Sequence, residues 1–142
     1  AGFRGYQGED PLLVVASKGD GIIPLNLVQD NLPKGAAVYK GVEGARRLAE
    51  VGGLRRGESA AVFFEEPFGA GGAPPNHISF LSEQSNDALV GFLSPLLPVA
   101  RAMSVPVLDF DKYQEARDSR QTAEVVVPLV SGFFEANQRV IK

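Results

Sequence analysis

Residues 11–17 read PLLVVAS, and residues 59–67 read SAAVFFEEP. Each is a short apolar run that ends in polar or turn residues, KGDG after the first and EEP within the second. Runs of this length, carrying Val and Phe and bounded by turn signals, are expected as buried strands. Strands apolar on both faces point to a parallel sheet, whose two faces are covered by helices. Between them, GVEGARRLAEVGG (41–53) spaces Val42, Ala45, Leu48, Ala49 and Val51 at near-helical intervals. It closes in two glycines, a helix stop. A strand, a helix and a second strand in that order predict an α/β chain with right-handed crossovers.

The rest of the chain extends this pattern. IIPLNLVQDNLPKG (22–35) carries Pro24 and Pro33, so it holds at most a short helix. SNDALVGFLSPLLPVARAM (85–103) opens like a helix, with Ser85 or Asn86 as cap and Asp87 in the first turn. Pro95 and Pro98 are expected to kink or split it. VPVLDFD (105–111) reads as a third short strand. SRQTAEVVVPLVSGFFEANQRV (119–140) reads as a closing helix, with Val126, Leu129, Val130 and Phe133 on one stripe. Its Pro128 is expected to bend or break it. Residues 1–10 form an irregular arm, and 11–142 a single α/β domain. A parallel sheet of about three strands is small, so it is expected to need a partner chain or further strands of its own sheet.

Composition narrows the function classes. The 142 residues are 44% hydrophobic and 22% charged, with a net charge of −3. That balance suits a globular domain and argues against a nucleic-acid binder. The doublets Arg46-Arg47 and Arg55-Arg56 are interleaved with Glu43, Glu50 and Glu58, as on a solvated helix face. The chain has no cysteine, which excludes disulfides and thiolate chemistry. The longest apolar stretch, 88–100, is interrupted by Ser94, Pro95 and Pro98, so no membrane span is expected. With no cysteine and no signal-peptide pattern, an intracellular place is expected; SFLSEQSNDALVGFLSPLLPVARAM (79–103) resembles hydrolase-like proteins of plants and algae, and that resemblance implies a plastid as one candidate.

Sites in open α/β sheets form at the carboxyl ends of strands. The three expected strands end there in Lys18 and Asp20, in Glu65 and Glu66 followed by His77, and in Asp109, Asp111 and Tyr113. His77 is the only histidine and the natural base near neutral pH. Asp20 and His77 form the strongest constellation, an acid that orients and stabilises the imidazole and a base that activates a nucleophile. The alternative is that His77 only braces its loop. FGAGGA (68–73) lacks the lysine of a phosphate loop and is followed by Pro74 and Pro75, so no cofactor site is expected. Carboxylates at strand ends are usually just solvated, and no metal site is expected from them.

LLVVASKGDGIIP (12–24) resembles the seventh strand and acid loop of α/β-hydrolases, and NHISFL (76–81) resembles that family's histidine loop. The resemblance covers about residues 11–103 and matches the C-terminal portion of such an enzyme. It implies Asp20 as acid and His77 as base. The family's G-x-S-x-G elbow follows a strand and precedes the acid. No such motif stands before Asp20, and Gly57-Glu58-Ser59-Ala60-Ala61 precedes an expected strand instead of following one. Two functions follow. One is a non-catalytic hydrolase-like module docked in a larger protein assembly. The other is the C-terminal part of a serine ester hydrolase with its nucleophile outside this chain.

Overall fold

The computed structural model describes residues 10–20, 23–50, 52–68, 74–76, 79, 88, 91–92, 94–103 and 119–138. It contains a three-stranded parallel sheet built from β1 (Leu13–Ser17), β2 (Ala37–Lys40) and β3 (Ala60–Phe64). Helix α1 (Leu25–Gln29) connects β1 to β2, and α2 (Gly41–Ala49) connects β2 to β3. A 3₁₀ turn (Ser94–Leu96) leads into α3 (Leu97–Ala102), and α4 (Ser119–Asn137) closes the described chain.

The strand order is β1-β3-β2, with β3 in the centre. Leu13 stands opposite Ala60 and Ser17 opposite Phe64, while Ala37 pairs with Ala60 and Lys40 with Phe63. The central position explains the composition of β3. Its five residues, AAVFF, are all buried, as a strand covered on both faces requires. Strand alternation sends Ala60, Val62 and Phe64 to one face and Ala61 and Phe63 to the other. The first three join Ala45, Leu48, Leu54, Leu129 and Phe133 in the core, under α2 and α4.

β2 is an addition to the sequence reading, which placed no strand at 37–40. AVYK alternates half-buried and exposed residues on an edge, and four residues carry too little periodicity to stand out. The chain then enters α2 with no loop. Lys40 is extended, and Gly41 at φ 65° makes the turn, a conformation that favours glycine. The two expected strands at 11–17 and 59–67 are adjacent and parallel, as β1 and β3. The third, at 105–111, lies outside the described residues.

Two proline expectations had different outcomes. Pro95 and Pro98 coincide with the split into the 3₁₀ turn and α3. Pro128 does not break α4, which continues for 19 residues. Pro128 is exposed, so the backbone carbonyl it leaves without a donor can be hydrated. The expected stripe holds at Leu129 and Phe133, which are buried in the core. No helix among the described residues is long and apolar enough to cross a membrane.

Candidate functional site

The carboxyl edge of the sheet is held together by the end of β1. Ser17 is buried, and its hydroxyl donates to the Phe64 carbonyl at 3.1 Å. The same oxygen accepts the Gly19 N–H at 3.1 Å. The Lys18 N–H donates to the Phe64 carbonyl at 2.8 Å, and the Asp20 N–H to the Ser17 carbonyl at 3.1 Å. The loop after β1 is thereby tied to the end of β3. Its half-buried Asp20 accepts the Ile23 N–H through Oδ1 at 3.0 Å, a local brace common for aspartate in loops.

A second segment packs on this loop. Gly19 is buried. A Cβ built there would lie 2.5 Å from the Pro75 carbonyl oxygen and closer still to that of Pro74. Residues 74 and 75 therefore lie on the loop backbone to backbone. Asn76 and Ser79 follow, both buried. The Asn76 N–H donates to Ser79 Oγ at 3.0 Å, and the Ser79 N–H donates to Asn76 Oδ1 at 3.0 Å. The Ser79 hydroxyl also donates to Asn76 Oδ1 at 2.9 Å. This reciprocal pairing follows the logic of a helix capping box. His77 itself lies outside the described residues, as do Asp109, Asp111, Tyr113 and most of the glycine-rich stretch 68–73.

β2 brings Lys40 to the same edge. Its Nζ lies 2.8 Å from Glu65 Oε1. The hydrogen bond and charge of Lys40 hold the Glu65 carboxyl below the usual carboxylate range, with a smaller contribution from the Lys18 charge. Lys18, Lys40 and Glu65 thus form one mixed-charge rim beside Asp20. Sequence reading placed Lys18, Asp20 and Glu65 at this edge and missed Lys40, because it missed β2. It also missed the roles of Ser17, Asn76 and Ser79. A serine closing an apolar run and the N-x-x-S spacing of capping residues were the available signals.

Ser59 sits just before β3, and its Oγ accepts the Leu12 N–H at 3.0 Å. It braces a strand entry and has no elbow geometry, which needs a strand before the serine. Among the described residues, no three His, Cys, Asp or Glu side chains gather as a metal-ligand set. Comparison with protein families, curated proteins and solved structures gives no match for this chain.

Proposed function

We propose that this chain is a non-catalytic, α/β-hydrolase-like module that docks in a larger assembly by inserting residues 91–103 into an apolar groove of a protein partner. The observation that carries this reading is the exposure of Phe92, Leu96, Val99 and Met103, at 70%, 50%, 58% and 71%. The segment is a 3₁₀ turn followed by the six-residue α3, and Val99 and Met103, linked by the Met103 N–H to the Val99 carbonyl, stand one turn apart at its end. The whole segment, GFLSPLLPVARAM, contains one charged residue, Arg101. Large apolar side chains exposed together mark an interaction surface. A membrane surface fits less well, because surface-seated helices carry a face rich in Lys and Arg.

Full burial of one large apolar side chain from full exposure contributes roughly 1.5–3 kcal/mol. Weighted by their present exposure, the four contribute roughly 4–7 kcal/mol, comparable with the lower end of the roughly 4–15 kcal/mol cost of association, so further contacts of the same interface must add to them. The test is the native mass of the protein in its source cells, combined with photo-crosslinkers at Val99 and at the exposed control Asp30. Docking gives an assembly heavier than the 15.1 kDa chain. It also gives one crosslinked protein of fixed stoichiometry from position 99 alone, and Leu96→Asp with Val99→Asp releases the free chain. A native mass equal to the single chain overturns the reading, as does labelling of the isolated chain by a serine-directed fluorophosphonate.

A second reading makes the chain the C-terminal part of a serine ester hydrolase, with Asp20 as acid, His77 as base and the nucleophile outside these residues. The observation in its favour is the packing of Gly19 on the Pro74 and Pro75 carbonyls, one residue from Asp20 and two from His77. In the native protein, Asp20→Asn and His77→Ala should each abolish hydrolysis of a short-chain ester while leaving the native mass unchanged. Unaltered hydrolysis in both variants removes this reading without touching the docking one.

A further inference from the structure

Met103 is the only methionine of the chain, and the chain has no cysteine. Sulfur side chains are the ones a hydroperoxide oxidises most readily, and exposure governs which of them react. The chain therefore offers such an oxidant one principal target. At 71%, Met103 is the most exposed of the large apolar side chains among the described residues. Its N–H donates to the Val99 carbonyl at 3.0 Å, where α3 ends. The thioether thus stands in solvent, one turn from Val99, on the segment assigned above to docking.

The two oxidation states of this side chain suit opposite environments. A thioether is apolar, flexible and polarisable, and it fills irregular apolar gaps. A sulfoxide is polar, and buried in an apolar groove it loses its hydration without a replacement donor. Oxidation at this position changes whether the surface can be buried, with no change needed in the fold beneath it.

We infer that Met103 is an oxidation site that controls docking: its thioether form enters the partner's groove and its sulfoxide form is excluded. This rests on the docking reading and names its regulation. In the step, a sulfur lone pair attacks the terminal oxygen of a hydroperoxide. The O–O bond breaks and an S–O bond forms. The proton of the terminal oxygen passes to the departing oxygen, which leaves as an alcohol or as water. Sulfur gives up two electrons and the peroxide takes them. A dithiol-dependent sulfoxide reductase reverses the change: two thiols supply two electrons, become a disulfide, and the oxygen leaves as water. Docking covers Met103, so the oxidant acts on the free chain and blocks assembly more than it dissolves an assembly already formed.

The experiment treats the free chain and the native assembly with hydrogen peroxide and follows oxygen uptake by peptide mass spectrometry. One oxygen is expected at Met103 first, and more slowly in the assembly than in the free chain. With the photo-crosslinker at Val99, the sulfoxide form should give at least about tenfold less of the crosslinked partner than the untreated chain. The two epimer-specific methionine sulfoxide reductases with dithiothreitol should restore the yield. In Met103→Leu, which peroxide cannot oxidise at this position, the ratio of yields with and without peroxide should be one. Met103→Gln, a polar side chain of similar length, should crosslink weakly without any peroxide. Position 103 is exposed, so both variants should melt as wild type does. Oxygen uptake elsewhere before Met103, no protection in the assembly, undiminished crosslinking of the sulfoxide form, or equal peroxide sensitivity of Met103→Leu overturns the inference and leaves docking standing. A native mass equal to the single chain overturns both.

Discussion

Gly19 and Pro75 meet backbone to backbone, so closely that a Cβ on residue 19 would stand 2.5 Å from the Pro75 carbonyl oxygen. This contact joins the loop after β1 to the segment that precedes His77. It needs no side chain from either residue, only the absence of one at position 19.

Gly19→Ala is therefore expected to destabilise the protein. Both obstructing atoms belong to backbone, which cannot rotate away as a side chain can. Overpacking of this kind costs about 1–3 kcal/mol. Urea unfolding should show a lower midpoint at unchanged slope. A midpoint equal to wild type would mean that residues 74–75 do not pack on this loop.

Ser17→Ala removes a hydroxyl that both donates to the Phe64 carbonyl and accepts the Gly19 N–H. The buried Gly19 amide loses that partner, a loss of about 1–3 kcal/mol. Amide hydrogen exchange at Gly19 should accelerate in the variant. Unchanged exchange and stability together would show that the hydroxyl is dispensable.

Asn76→Ala deletes the acceptor of two Ser79 hydrogen bonds. Loss of a capping side chain costs about 0.5–2 kcal/mol. Asn76→Asp should retain much of the function, because a carboxylate still accepts from the Ser79 amide. Equal stability of the alanine and aspartate variants in thermal melts would contradict the capping role.

Lys40→Gln should return the Glu65 carboxyl toward the ordinary range, since Lys40 is the main cause of its depression. A carboxyl whose folded pKa is lowered stabilises the fold above its unfolded pKa. That contribution fades as pH falls through the folded value. The wild type should thus lose the contribution on acidification, and Lys40→Gln should lack most of it, keeping only what the Lys18 charge supplies. Both partners are substantially exposed, so the stability difference at neutral pH should be small and screened by salt. Carboxyl NMR titration of Glu65 that is identical in the two proteins would remove Lys40 as the cause.

Leu48→Ala and Leu129→Ala should each cost about 2–5 kcal/mol, because both side chains are fully buried between the sheet and the two helices. Val127→Ala, at 59% exposure, should stay within about 0.5 kcal/mol of wild type. Similar losses for Val127 and Leu129 would mean that α4 is rotated relative to the sheet.

Much of the sheet was legible because β1, α2 and β3 announce themselves in different ways. PLLVVAS and AAVFF are continuous apolar runs, and 41–53 has a helical period with a double-glycine stop. β2 was not legible. An edge strand of four residues buries only alternate side chains and is selected by pairing with β3, which comes 20 residues later. Lys40 was hidden with it, so the charge opposite Glu65 could not be foreseen. Asp20 was picked out by its loop, and the structure shows it braced on Ile23. The packing of Gly19 against Pro74 and Pro75 had no local signal, since the segments lie more than fifty positions apart.

The sequence by itself determined the class of this protein: buried apolar strands alternating with helical patterns can satisfy both faces of a sheet only as a parallel α/β arrangement. It also determined that polar groups would stand where those strands end. Tertiary structure alone decided that β3 lies between β1 and β2 and that Lys40 meets Glu65. The physical reason is range. Periodicity and turn chemistry act over a few residues, whereas strand order and the meeting of distant charges are set by how the chain buries its apolar faces as a whole.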